Sequence, residues 1–339
     1  LLFCPGTLHA QSKKSYDPNY YNIFPKSVSA RIFTSKKYSV ITMQSITGKD
    51  LRYIANSNTA AGLGLSYNNL SANIAFGLPF LNDKDKGKTK VIDLQAHLYS
   101  RRWINDLYAQ QYRGYYTTPA NYPSTTDAYY YRPDLKVQLL GFNRYRVFNS
   151  RRFSYRASFL QTEWQKKSAG TLLAGFEMYY SRVKADSSFI PFNIKANYRN
   201  PGVLKLGYAS IGPGIGYAYT LVIDQHFFAT ASVIGNLNFN YVKEFETASS
   251  ASRIGIDPLL NFRVAAGYNG RVWSVAANWI AANLNFKGSS GGRYLEQTGN
   301  YRFIVSRRFK AGKKLQKKLR AMDNFFKEGK EMLPASLGK

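Results

Sequence analysis

The stretch His226-Phe227-Phe228-Ala229-Thr230-Ala231-Ser232-Val233-Ile234-Gly235-Asn236-Leu237-Asn238-Phe239-Asn240-Tyr241 decides the fold class. Phe227, Ala229, Ala231, Val233, Leu237, Phe239 and Tyr241 share one side of an extended chain. Thr230, Ser232, Asn236, Asn238 and Asn240 share the other, with Phe228 and Ile234 as exceptions. Successive strand side chains point to opposite faces, so this period of two puts one face in an apolar medium and one in a wet medium. The pattern recurs along the chain with Tyr and Phe near the segment ends, which predicts an all-β, antiparallel transmembrane β-barrel.

Other segments repeat it. Ile92, Leu94, Ala96 and Leu98 oppose Asp93, Gln95, His97 and Arg101; Phe153, Tyr155, Ala157 and Phe159 oppose Arg152, Ser154, Arg156 and Ser158. Tyr301, Phe303, Val305 and Phe309 oppose Asn300, Arg302, Ser306 and Arg308. Between Ile211 and Leu221 the residues alternating with the large ones are Gly212, Gly214, Gly216 and Ala218, a small-residue face that leaves room for something to pack inside.

Composition agrees with one unit of this kind. The 27 Tyr, 22 Phe and 26 Gly are spread over all 339 residues. No stretch approaches the roughly 18–20 apolar residues a spanning helix needs. The net charge of +28 would suggest nucleic acid in a soluble protein. Here Lys and Arg are scattered over strands, turns and tail, so the expected partners are outer-membrane lipid and lipopolysaccharide, whose phosphates they can meet, and not nucleic acid.

The chain divides into four parts. Residues 1–10 read as a signal-peptide remnant ending at Ala10, which contains the single cysteine, Cys4. Residues 11–37 read as an irregular periplasmic lead-in, residues 38–309 as the barrel, and residues 310–339 as a basic amphipathic helix. In that tail Leu315, Leu319, Met322 and Phe326 recur at helical spacing beside Lys313, Lys314, Lys317, Lys318 and Arg320. It could lie on a membrane surface, plug the periplasmic mouth, or dock an envelope protein.

Strands are expected at about 38–46, 59–68, 70–80, 90–100, 102–115, 135–148, 152–164, 170–184, 211–223, 226–242, 257–268, 271–286 and 299–309. Bacterial single-chain barrels have even strand numbers. The long connectors 46–58, 81–89, 117–134, 243–256 and 287–298 should share one side, and that parity asks for one more strand within 185–210, giving fourteen. Dropping 38–46 gives twelve and leaves the side conflict in place. Asn68-Asn69, Asp224-Gln225 and Asn269-Gly270 suit tight hairpin turns, the last most strongly.

Chemistry-bearing residues are few. The histidines are His9, His97 and His226, with no Cys, His or carboxylate at metal-ligand spacing and no cofactor motif. Asp93 and His97 share an inward face, but four extended residues separate them by roughly 13 Å, so His97 is expected in a lumen network reaching neighbouring strands. Lys136, Arg156, Arg263 and Arg302 are expected to face the lumen as well. Such a lining would either favour anions in an open pore or pair with Asp93 and Glu177 to fill the interior.

Several phrases carry a family resemblance. Ser15-Tyr16-Asp17-Pro18-Asn19-Tyr20-Tyr21, Tyr131-Arg132-Pro133-Asp134, Arg152-Phe153-Ser154-Tyr155-Arg156-Ala157-Ser158-Phe159 and Gln165-Lys166-Lys167-Ser168-Ala169-Gly170 together resemble an uncharacterised Bacteroidota family, a domain of unknown function, over about residues 15–310. The resemblance implies an outer-membrane barrel and carries over no site residue. The expectation is a non-enzymatic outer-membrane protein, serving as a pore or transporter or in an envelope assembly. The alternative is a rim enzyme acting on lipid or lipopolysaccharide with His97 or His226 as base.

Overall fold

The opening stretch forms the lower three-quarters of a 19-residue strand whose exposure alternates without a break along most of its length. Phe227, Val233, Leu237, Phe239 and Tyr241 are exposed outward, while Thr230, Ser232, Asn236, Asn238 and Asn240 are buried. Phe228 and Ile234 point inward with the polar set, as buried apolar exceptions. An exterior of this kind needs an apolar medium.

A computed structural model describes residues 15–310 apart from 26, 68–69, 121 and 124–127, together with residue 312; the side chains of residues 70–72 are not described. The expected leader at 1–10 and the helix at 310–339 lie outside the described residues, except Lys310, which ends a strand, and Gly312. The strands are β1 (Tyr21–Ile23), β2 (Ser27–Met43), β3 (Leu51–Ile54), β4 (Thr59–Tyr67), β5 (Leu70–Leu78), β6 (Lys90–Tyr99), β7 (Trp103–Thr117) and β8 (Tyr131–Val147). A short helix α1 (Tyr155–Phe159) and β9 (Glu163–Gln165) follow, then β10 (Ala169–Lys184), β11 (Lys205–Ile223), β12 (Phe227–Phe245), β13 (Ser250–Asn269), β14 (Trp273–Lys287) and β15 (Arg293–Lys310).

All ladders are antiparallel, and pairing of β15 with β2 closes the wall. The closed ring has ten members: β2, β3, β7, β8 and β10 to β15. Short β3 bridges the upper ends of β2 and β7, with Val40 opposite Ile54 and Tyr53 opposite Thr117. Below that bridge, β4 and β5 extend from the lower part of β2 and β6 extends from β7. β5 and β6 do not pair with each other.

The expected fourteen strands are therefore corrected. Residues 185–204 hold a single 3-10 turn at Phe192–Asn197 and no strand. The expected strand at 152–164 is instead α1, a turn and β9. Removing it, not adding one, resolves the parity: four strands now separate the long connectors that share a side. The twelve-strand alternative discards 38–46, of which residues 38–43 are the upper part of β2. That strand begins at Ser27, so the irregular lead-in is shorter than the expected 11–37.

Residues 152–164 read as a strand because their alternation was real while their surroundings were not a wall. They lie in the lumen, where both faces find partners. Ser154 caps the helix by accepting from the Ala157 amide at 3.1 Å. Helical spacing then stacks Tyr155 on Phe159, with centroids 4.8 Å apart. Tyr155 donates to Ser232 at 2.8 Å, Ser158 bonds Thr230 at 2.7 Å, and Asn269 donates to the Ala157 and Glu163 carbonyls. Arg308 donates to Gln161 O at 2.5 Å. This segment is a plug in the mouth where the chain's short turns lie. Ala218 of the small-residue face packs against it. Higher up, Gly214 leaves room for Tyr145, and a Cβ there would collide with Asn236 Oδ1. Of the three expected tight turns, Asn68-Asn69 lies outside the described residues; Asp224 and Gln225 both adopt positive φ, 49° and 62°, whereas Gly270 does not.

The opposite half is built inside out relative to the lower half. A 19-residue strand tilted by about 40° rises about 48 Å, nearly twice the roughly 25 Å apolar band of a membrane barrel. The excess must fold as a water-exposed protein does, with apolar residues inward. Tyr112, Leu135, Val137, Leu139, Val183, Leu206, Tyr208, Leu284 and Phe286 accordingly form a buried core within the upper barrel. Both ends of the axial path are thus occupied, by this core above and by the plug below.

Candidate functional site

Between the two fillings lies a cavity of about 1280 Å³. Its inner wall includes residues of β2, β4, β5, β6 and β15, with Arg31, Phe33, Asp93, His97 and Arg302 among the lining. Its lining continues past the free edge of β6 onto outward residues of β7, β8 and β10, including Leu107, Leu140 and Met178. The cavity therefore opens sideways through the unpaired seam between β5 and β6. Both faces of β5 are exposed from Asn73 to Gly77 as a result.

The connector above the seam is held in place. Asn56 donates to the carbonyls of Asp83 and Gly87 at 2.8 and 2.7 Å, and its amide donates to Thr89 Oγ1 at 2.8 Å. A hydrogen bond from Lys86, 2.9 Å away, keeps the Asp83 carboxyl below its ordinary pKa.

Three polar groups face the cavity. At its upper end Lys37 of β2 reaches Asp93 of β6, 2.8 Å from Oδ1, and also donates to the Asp93 carbonyl at 3.0 Å. Tyr112 and Gln110 donate to Asp93 Oδ2 at 2.5 and 3.0 Å. Lower on β6, register places His97 opposite Asp106 of β7. Asp106, fully buried, lies 2.6 Å from His97 Nδ1 and 2.6 Å from an Arg263 nitrogen, and Tyr99 donates to it at 3.0 Å. Arg263 also donates to the Tyr99 hydroxyl at 2.8 Å.

The third group is a pair of arginines on the β2–β15 wall. Arg302 stacks on Phe33 with 4.9 Å to the ring centroid, and Arg31 is 4% exposed and donates to Ser66 Oγ. The Nε of each is buried without a hydrogen-bond partner. Neither has a carboxylate within ion-pair distance among the described residues.

The sequence-predicted residues thus fall into different places. Asp93, His97, Arg263 and Arg302 face the lumen, with Asp93 and His97 in separate networks. None of the predicted cations pairs with Glu177, which takes its hydrogen bonds from Tyr145, Asn238 and Asn261. Arg156 lies in the plug, 3.2 Å from Glu163, and not on the wall. Lys136 is corrected outright. It sits on the outer face of β8, alternating with buried Leu135 and Val137, because the upper barrel reverses the pattern that placed it inside.

There Lys136 joins a row. Lys90 lies opposite Arg113, Arg113 opposite Lys136, Lys136 opposite Lys184, and Lys184 opposite Lys205, across five adjacent strands. None of these five makes an ion pair among the described residues. Like charges directly opposite one another destabilise a sheet.

His97 has one nitrogen bound to Asp106, an arrangement that orients an imidazole as a base. The same carboxylate is also committed to buried Arg263. His226 bonds the Asp224 carbonyl at 2.7 Å and stacks on Tyr268 near the short-turn end. Among the described residues no group of three His, Cys, Asp or Glu could hold a metal.

Residues 15–309 match the family described as Domain of unknown function (DUF4421). The chain belongs to that family. No curated protein matches it. Among solved structures it is similar to the outer membrane protease OmpT from Escherichia coli, at 10% identity over 85% of this chain and 98% of that one, with a TM-score of 0.40. It is also similar to the attachment invasion locus protein Ail of Yersinia pestis, at 7% identity over 84% and 100%, TM-score 0.23. The Pseudomonas putida toluene transporter TodX matches at 5% identity over 86% and 90%, TM-score 0.23. Likenesses this distant bear on neither activity nor substrate.

Proposed function

We propose that the protein is a non-enzymatic integral barrel of the outer membrane whose lumen communicates with the side of the wall and not along the axis. The observation that carries this reading is the double filling: an apolar core closes the upper barrel, a hydrogen-bonded plug closes the lower mouth, and the cavity between them opens laterally. The apolar outer belt calls for lipid. A role in transport then means exchange with the bilayer, and the basic lumen does not serve as an anion-conducting pore. In planar lipid bilayers the folded protein inserts and stays electrically silent. Stable anion-selective current steps would overturn the reading.

The partner supplied by that membrane is lipopolysaccharide, whose phosphates neutralise the row from Lys90 to Lys205. A basic side chain near an anionic surface contributes about 1 kcal/mol, so Lys184→Gln with Lys205→Gln is expected to weaken lipopolysaccharide retention about thirtyfold. Equal retention by the variant and the parent in detergent-purified samples would remove this partner. The possible envelope partner of the tail rests on residues outside the described ones.

A further inference from the structure

We propose that the seam between β5 and β6 is a lateral gate for an anionic amphiphile, whose acidic head binds Arg31 and Arg302 while its hydrocarbon chain leaves through the seam. This rests on the side-opening reading above and names the ligand class it implies.

The argument begins with the two arginines. A buried guanidinium is ordinarily paired, because removing it from water is costly. Among the Lys and Arg side chains that line the cavity, Arg31 and Arg302 are left without a carboxylate once Lys37 has Asp93. Both line the cavity, and both keep an unpartnered Nε. A carboxylate or phosphate would satisfy donors that the protein leaves open, and planar guanidinium forks suit both groups.

The rest of the cavity selects the remainder of the ligand. From the arginines the lining passes Phe33 and Ala75 to the seam, and beyond it to Leu94, Leu98 and Leu107 on the outside. A polar anion would gain nothing from that path. An acyl chain would follow it into the lipid. The charged row starts at Lys90, the first residue of β6, so Ile92, Leu94 and Leu98 descend from the charged boundary into the apolar belt. The exit therefore faces hydrocarbon.

The seam is also suited to move. Unpaired strand edges do not stay exposed to hydrocarbon, since each unsatisfied backbone group costs several kcal/mol. β5 and β6 are consecutive in the chain and run in opposite directions, one rising from Leu70 and the other descending from Lys90. Pairing them would complete a wall in which β4, β5 and β6 replace the short bridge. The open seam and the zipped seam are the two states of the gate.

The test uses full-length protein in phosphatidylethanolamine vesicles with a fluorescent long-chain fatty acid. A lysophosphatidic acid arm distinguishes phosphate from carboxylate, and the fatty alcohol of equal length serves as the uncharged control. Saturable binding of one acid is expected, with the alcohol at least about tenfold weaker. Arg31→Gln and Arg302→Gln each lower affinity for the acid about tenfold or more and leave the alcohol unchanged; the Lys replacements recover part of it. Because each Gln variant removes a charge that no carboxylate balances, folding is retained, checked by heat-modifiable gel mobility. Bridging Asn73→Cys to Gln95→Cys with a short bis-maleimide before loading abolishes uptake, and bridging after loading abolishes release. Equal binding of acid and alcohol, or unchanged affinity in both Gln variants, overturns the proposal. A silent barrel that binds no acid leaves the side-opening reading standing and removes only the ligand, whereas an ion current removes that reading itself.

Discussion

Replacing Asp106 with alanine is expected to lower the stability of the folded barrel by about 3–5 kcal/mol, the cost of breaking a buried charge pair from one side. Asp106 is fully buried and is the common acceptor for His97, Tyr99 and Arg263. Its removal leaves Arg263, 2% exposed, with no compensating carboxylate. Arg263 then keeps its hydrogen bond to the Tyr99 hydroxyl. The companion change separates charge from packing. Adding Arg263→Met to Asp106→Ala removes both charges, and a paired deletion of this kind is often close to neutral. Most of the lost stability should therefore return in the double variant. Urea unfolding in lipid vesicles, followed by tryptophan fluorescence, measures all three proteins. A single variant as stable as the parent, or a double variant no better than the single, would show that the carboxylate does not hold the arginine.

The same residues show how far a sequence can be read. The medium on each side of the wall was legible from 226–241, because strand periodicity and a two-medium environment leave a direct trace in residue order. Asp93, His97, Arg263 and Arg302 were placed inward on that basis. Their partners were not legible, because pairing depends on register between strands. Asp106 meets His97 only because the hairpin of β6 and β7 closes at Ser100–Arg102. Counting outward from that turn would have found it. Arg31 and Lys37 escaped for a different reason: they precede the first clear alternation, so the start of β2 passed for a lead-in. Lys136 failed because the strand outgrows the bilayer and the apolar face changes sides. Alternation does not say which face is inside once the surrounding medium has changed.

The plug marks a further limit, and it carries the second large effect. Residues 153–159 alternate as a strand would, yet they fold as a helical turn within the lumen, where aromatic stacking decides their conformation. Tyr155 is the centre of that packing. It is 2% exposed, stacks on Phe159, and meets Tyr99 and Phe153 edge-on at 5.5 and 5.9 Å. Truncating a buried aromatic to alanine costs about 3–5 kcal/mol. The barrel ladders do not include α1, so this cost falls on docking of the plug and not on closure of the wall. Local opening is governed by local stability. Tyr155→Ala should therefore expose Arg152, Lys166 and Lys167 to trypsin added from the short-turn side, raising the cleavage rate by about two orders of magnitude or more. Heat-modifiable mobility of the barrel should persist. Tyr155→Phe keeps the ring and loses the bond to Ser232, a change of about 1 kcal/mol, so its cleavage rate should rise less than about tenfold. If Tyr155→Ala is cut no faster than the parent, the plug is held by its hydrogen bonds from Asn269 and Arg308 and not by aromatic packing. If instead the wall itself unfolds, plug and barrel form one cooperative unit, and the lumen filling contributes to closure of the ring.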